Sequence, residues 1–263
     1  MTTQPLGELW RQRELLASLT VRDLRSRYAG SSAGLLWAVL NPLIQLAILT
    51  TVFSLVLQIR LGGPTGVPFA VTLAWGFLPW LALQEGLAKA TTSLVDGGVL
   101  VRRMAFRPEI VVVQPVLAAV IQQMVGLVLL IAVMPLLGDG VSASVLLCII
   151  PLMIQIAFGI GIGWILGVLH VYFRDTAQVV TAALQAWFYL TPIVYTLEVA
   201  PASLRGLLSL NPLCGIVEGF RGFAVGAPVS WGALAYSAAW ALAALLVGAF
   251  AIDRARSEIS DLV

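Results

Sequence analysis

Long apolar stretches alternate with short polar punctuation along the whole chain. Six stretches are long enough to cross a bilayer, which takes about 20 predominantly apolar residues. They run from Leu35 to Leu57, Phe69 to Leu94, Ile110 to Leu137, Val145 to Val171, Ala177 to Tyr195 and Trp231 to Ile252. The pattern predicts an all-α polytopic membrane protein that forms one transmembrane domain. Residues 1–32 break it: Leu9, Trp10, Leu15, Leu16, Leu19 and Leu24 are interleaved with Arg11, Arg13, Arg22, Arg25 and Arg27. That reads as an amphipathic interfacial helix, either a simple anchor or a docking surface for a cytoplasmic subunit. Thr20-Val21-Arg22-Asp23 has the spacing of a capping box and predicts a helix start at Thr20. Residues 197–229 also break the pattern. Glu198, Pro201, Arg205, Asn211, Pro212, Glu218 and Arg221 divide them into apolar pieces too short to span, which predicts two short re-entrant or interfacial helices that line something.

Composition supports this class. The chain of 263 residues is 60% hydrophobic and 11% charged, against about 25% charged in soluble domains. Because charge is scarce, its position is informative. Asp96 to Glu109 carries Arg102, Arg103 and Arg107 between two spans. A central arginine in lipid costs roughly 3 kcal/mol on the lenient insertion scale, so this loop faces water or a partner. Five arginines in the N-terminal segment, three in the 96–109 loop, Arg174 and two in the polar tail after Asp253 fall on one face. Arg60, Arg205 and Arg221 fall on the other. The positive-inside bias places both termini and the arginine loop in the cytoplasm. The first thirty residues have no apolar core of signal-peptide type.

Little in the chain points to catalysis. His170 stands alone, with no Cys/His/carboxylate cluster for a metal. Cys148 and Cys214 read as free thiols in packed helices. Glu85 and Lys89, at i and i+4, read as a helical pair. There is no G-x-x-x-x-G-K-[ST], so active transport would need ATP and Mg2+ bound by another subunit. Asn41-Pro42 predicts a kink in the first span. Gly159, Gly163 and Gly167 form a small-residue face that serves close helix packing or a hinge. Trp75, Trp80, Phe158, Trp187, Phe188 and Tyr189 fall toward span interiors, where they either pack as core or form a face for sugar rings. Trp37, Trp231 and Trp240 read as interface anchors.

With these pieces placed, the chain resembles the transmembrane subunit of type-2 ABC exporters, in the branch that moves polysaccharides such as O-antigen, capsule, teichoic acid and galactan. The resemblance covers nearly the whole chain. It is carried by Leu19-Thr20-Val21-Arg22-Asp23-Leu24 through Arg27-Tyr28, Gly34-Leu35-Leu36-Trp37, Asn41-Pro42, the Leu100 to Ile110 loop, Phe173-Arg174-Asp175, Thr191-Pro192-Ile193-Val194-Tyr195 and Asn211-Pro212. Where the family commonly reads Phe-Pro, this chain has Phe106-Arg107-Pro108.

The resemblance implies a homodimer in the bacterial cytoplasmic membrane, served by two copies of an ABC ATP-binding subunit, with a lipid-linked glycan as cargo and no nucleic acid. It implies an ATPase interface at Arg22, Asp23, Arg25, Arg27, Arg102, Arg103, Met104, Phe106 and Arg107. It implies an outer gate at Pro192, Tyr195, Asn211, Pro212, Glu218 and Arg221. Export of drugs, lipids or other small molecules keeps the same fold with another cargo. An intramembrane lipid-modifying enzyme would need clustered polar catalytic residues.

Overall fold

A computed structural model describes residues 4–27, 34, 36–56, 69–97, 107–137, 142–197 and 200–262. The described residues form ten α-helices. They are α1 Gln4–Arg11, α2 Arg13–Arg27, α3 Leu36–Thr50, α4 Phe69–Asp96, α5 Pro108–Val133, α6 Ile149–Tyr172, α7 Thr176–Leu190, α8 Ala202–Ser209, α9 Leu213–Val225 and α10 Trp231–Leu262. A π-helical turn, Thr51–Val56, prolongs α3, and a 3-10 turn, Ala143–Cys148, leads into α6. No strand occurs among the described residues.

Among the described residues, three helical stretches are both long and apolar enough to cross a membrane: Pro108–Val133, Ala143–Tyr172 and Trp231–Ile259. Helix α4 has 28 residues and is about 42 Å long at 1.5 Å per residue, but it carries Glu85, Lys89 and Asp96. Helix α7 has 15 residues and reaches only about 22 Å, short of the ~30 Å hydrocarbon core.

Helix α4 is the central element. It packs against α3, α5, α6, α7 and α9 and is buried on most of its circumference. That burial matches its composition, which is apolar on nearly every face around Leu73 to Leu87. Pro108 starts α5, after an extended Arg107. Proline suits the first helical position because its missing N–H would have no helical partner there. Gly226, at φ +69°, ends α9 in the left-handed conformation that glycine adopts without a Cβ penalty.

Two cores share the bundle. One is built on Leu73, Trp75, Trp80, Phe158, Ile193 and Phe220. The other lies at the end where α4 finishes and α5 begins, around Leu16, Leu94, Ile110, Trp164, Ile252 and Ile259. Gly159, Gly163 and Gly167 face α4 and α5, where added Cβ atoms would meet Val116, Ala90 and Val112 at 3.1–3.2 Å. They serve packing. A tighter approach lies on the other side of α6, where Gly161 meets the α10 backbone at Ala244 and Gly248 meets the Gly161 carbonyl.

Three expectations are corrected. Thr20 does not cap a helix: it is buried inside α2, and its hydroxyl donates to the Leu16 carbonyl at 2.7 Å. The preceding segment was already helix-competent, so the cap signal was a coincidence of spacing. The fifth apolar stretch stops being helical at Leu190, where Thr191-Pro192 turns the chain. Proline disfavours helical geometry in the residue before it, and Thr191 is extended. Finally, Asp253 onward is not a loose tail: α10 continues to Leu262, because Ile252, Ala255 and Ile259 keep one stripe buried. Pro42, where a kink is expected, lies inside α3, which is one helix from Leu36 to Thr50. Arg60, Leu100 to Phe106 and Glu198 lie outside the described residues.

Candidate functional site

Polar side chains are scarce in this bundle, and the described candidate residues gather in three places. The first is the end that holds α1, α2 and the start of α5. Arg22 and Arg25 are exposed on α2 and, with Val21, line a shallow depression. Arg27 turns inward and its side chain is only 5% exposed. It pairs with Asp23 at 2.7 Å and with Glu85 of α4, and its Nη1 lies 3.5 Å from the Gln122 side-chain oxygen. Lys89 also approaches Glu85, at 3.4 Å. The expected Glu85–Lys89 pair is therefore present, but the long-range contact to Arg27 was not visible in local spacing. Arg107 pairs with Glu8 at 3.2 Å and stands 3.9 Å from Glu109. Arg102, Arg103, Met104 and Phe106 lie outside the described residues.

Above this end, α3, α4 and α5 enclose an apolar cavity of about 310 Å3. Leu43, Leu46, Leu78 and Leu130 line it, and Glu85, Gln122 and Gln123 add its polar lining. Gln123 and Gln155 exchange amide hydrogen bonds at 2.8 and 3.2 Å, and Gln155 donates to the Pro79 carbonyl at 3.1 Å. This closed set ties α4, α5 and α6 together without leaving a buried amide unpaired.

The aromatic residues form the second place. Trp75, Trp80 and Phe158 are almost fully buried. Trp80 meets Trp187 and Phe188 edge-on or tilted, at 6.5 and 5.8 Å between ring centroids, and Phe158 meets Trp187 at 6.1 Å. The structure thus brings the predicted aromatics together, but as packing between α4, α6 and α7. Tyr189 differs: it is 66% exposed, next to exposed Leu190.

The third place is the turn after α7. Asn211 uses its whole side chain there. Its oxygen accepts from the Trp187 indole and the Leu213 amide, both at 3.0 Å, and its nitrogen donates to the Thr191 hydroxyl at 2.9 Å and the Leu190 carbonyl at 3.2 Å. Arg221 of α9 is buried. It donates to the carbonyls of Thr72 at 3.1 Å, Pro192 at 2.6 Å, Tyr195 at 3.5 Å and Ile193. Glu218, one turn earlier, contributes an opposite charge to its surroundings. Gly76 makes room for this guanidinium, since a Cβ there would lie 2.7 Å from Nη2. Pro192 is buried, Pro212 is half-buried before α9, and the Tyr195 hydroxyl donates to the Tyr189 carbonyl at 3.0 Å. Sequence reasoning grouped these residues but missed Thr72 and Gly76, which lie far away along the chain.

Among the described residues no group of three or more His, Cys, Asp or Glu could hold a metal. The arrangement offers arginines at one end, an apolar and aromatic middle, and a braced turn at the other end.

A family model described as ABC-2 type transporter matches residues 14–225. The chain is 28% identical over 216 residues to the O-antigen export system permease protein RfbA of Myxococcus xanthus, covering 81% of each chain. It is 27% identical over 209 residues to the protein of the same name from Klebsiella pneumoniae, covering 79% of each. The polysialic acid transport protein KpsM of Escherichia coli is 23% identical over 249 residues, covering 94% of this chain and 95% of that one.

Proposed function

The chain belongs to the ABC-2 type transporter family, and from that premise we propose that it is the channel-forming permease subunit of an ATP-driven exporter of lipid-linked polysaccharide. Membership in the family implies a partner ATP-binding subunit. The observation that carries the cargo assignment is the set of relatives, which are named for O-antigen export and polysialic acid transport and align over 79–94% of this chain.

In this reading two copies of the chain form the channel in the bacterial cytoplasmic membrane. Two copies of the ATP-binding subunit supply ATP and Mg2+ chemistry. Each copy crosses six times: the spans are α3 with its π-helical extension, α4, α5, α6, α7 together with the buried turn that follows it to Tyr195, and α10. Both termini and the 96–109 loop face the cytoplasm, which agrees with the arginine bias. Arg22 and Arg25, exposed on α2, and Arg102, Arg103, Met104 and Phe106 in the loop meet the ATPase. Asp23, Arg27 and Arg107 hold that surface in place through their ion pairs. Helices α8 and α9 re-enter the membrane from outside and form the outer gate with Pro192, Tyr195, Asn211, Pro212, Glu218 and Arg221. Tyr189, with the partly exposed Trp187 and Phe188, faces the sugar path; Trp75, Trp80 and Phe158 support it from behind.

The test is gentle purification of the tagged chain with its neighbours and mass measurement of the intact complex. Two copies of this chain with two P-loop ATPases, and co-purifying glycolipid, is the expected result. A complex lacking an ATPase would sink the proposal. A complete complex whose ATP turnover is indifferent to purified lipid-linked glycan would reassign the cargo to a small molecule. Within the complex, R102E/R103E is expected to weaken ATPase association and export by an order of magnitude or more, since close interfacial charge pairs couple by roughly 1.5 kcal/mol upward.

A further inference from the structure

Four charged side chains form a chain across the end of the bundle where the arginine loop is rooted. Glu8 lies on α1. Arg107 closes the loop, and Glu109 sits in the first turn of α5. Arg256 lies on α10 beyond Ile252, where the apolar run of the sequence ends. The links are Glu8 to Arg107 at 3.2 Å, Arg107 to Glu109 at 3.9 Å, and Glu109 to Arg256. Glu109 is 1% exposed, and the carbonyl of the same residue accepts from the Trp164 indole of α6 at 3.1 Å. Gln12 donates to the Glu8 carboxylate at 2.7 Å, and Arg11 stands 3.9 Å from it. Both ends of the chain of charges, Glu8 and Arg256, lie outside residues 14–225, the part matched by the family model.

We propose that this chain of charges locks the N-terminal helix α1, the first turn of α5 and the C-terminal end of α10 into one rigid unit, with Arg256 as the positioning residue that lets the loop's movement reach the spans. The inference rests on the proposed function, in which the ATPase moves the 96–109 loop. A push on that loop arrives at Arg107 and Glu109. Arg256 is the close partner of this buried carboxylate, while Arg107 stands 3.9 Å away, so parting Glu109 from Arg256 leaves a buried charge poorly compensated. The three elements therefore move together rather than slide. Arg256 sits beside Ala255 and near Ile252 and Ile259, whose side chains are in the same core as Ile110 and Leu16. Movement of the loop root is thereby passed to α10, and α10 packs extensively against α6. Without Arg256, α5 could tilt at its first turn while α10 stayed still.

The experiment uses the full chain in complex with its ATP-binding subunit in nanodiscs, with two readouts. One is ATP turnover. The other is the ATP-driven change in labelling of S203C, an exposed site on α8, by a membrane-impermeant maleimide. R256Q is expected to assemble and turn over ATP while the labelling response falls about fivefold, the low end of couplings between sites. R256K is expected to keep most of the response. E109Q/R256Q removes the uncompensated buried charge and is expected to match the wild type in assembly yet stay uncoupled. The inference is overturned if R256Q keeps the wild-type ratio of labelling response to turnover. It is equally overturned if both readouts fall together and E109Q/R256Q restores both, since that is a purely structural role. A wild-type complex with no ATP-driven labelling change would instead bring down the proposed function, and this inference with it.

Discussion

Arg221 and Gly76 explain each other. The guanidinium reaches main-chain oxygens at Thr72 on α4 and at Pro192, Ile193 and Tyr195 beyond α7, and it can do so only because residue 76 has no side chain. A buried cation is tolerable when its donors are all used on fixed acceptors. Replacing it by glutamine keeps some length but loses most of the fork of donors. R221Q is expected to destabilise the protein by roughly 3 kcal/mol, because several buried carbonyls lose their partner at about 1–3 kcal/mol each. G76A is expected to cost less, about 1–3 kcal/mol, by forcing the guanidinium off its seat. Thermal unfolding in detergent, followed by tryptophan fluorescence, checks both, and the prediction fails if R221Q melts with the wild type. Asn211 is expected to behave similarly: N211D keeps the two accepted hydrogen bonds but loses the two donated ones, so it should fall between wild type and N211A.

At the scale of the elements, glycine tells close approach from mere permissiveness. Gly161 and Gly248 press α6 onto α10 backbone to backbone, whereas Gly206 in α8 has nothing within 4 Å of a Cβ. G161A must push two helices apart and is expected to destabilise by more than 3 kcal/mol, beyond ordinary overpacking of about 1–3 kcal/mol. G206A gains helix propensity without a clash and is expected to stabilise α8 by about 0.5–1 kcal/mol. Comparing the two melting shifts gives the sign directly; equal shifts would mean the helix contact is looser than described. The same helices show what sequence could and could not reveal. The apolar runs located α3 to α7 and α10 because lipid-length hydrophobicity is a local property. The four-residue spacing of Gly159, Gly163 and Gly167 drew notice, yet Gly161, off that stripe, makes the tighter contact, since which face of α6 meets α10 is decided by the packing of the whole bundle. The last eleven residues look polar because of Asp253, Arg254 and Arg256. Their buried stripe of Ala255 and Ile259 becomes significant only when α1 and α5 lie beside it.

Across the whole molecule, the N-terminal amphipathic segment is held to the bundle by charge as well as by apolar burial. Leu16 and Leu19 join the end core, and Arg27 places its guanidinium between Asp23 of α2 and Glu85 of α4. Glu85 serves two cations of unequal burial: the Arg27 side chain is 5% exposed and that of Lys89 is 41% exposed. Their contributions should therefore differ. Lys89 is wet enough that its pair with Glu85 is worth at most about 1 kcal/mol, screened further by salt. Arg27 is desolvated, so loss of Glu85 leaves its charge compensated by Asp23 alone. Removing a partner from a buried pair outright costs roughly 3–5 kcal/mol, and the surviving Asp23 contact should reduce that to about 1–2 kcal/mol. E85Q is therefore expected to release α2 from the bundle more readily and to raise the exchange rate of amides in residues 13–27 by about tenfold, the equivalent of 1.4 kcal/mol. K89M should leave those rates within about twofold. Hydrogen exchange measured by mass spectrometry on the two variants separates the contributions. If K89M raised exchange as much as E85Q, the long-range Arg27 contact would not be what fastens the N-terminal segment. The Arg22 and Arg25 surface proposed to meet the ATPase would then be held by apolar burial and the Glu8–Arg107 pair.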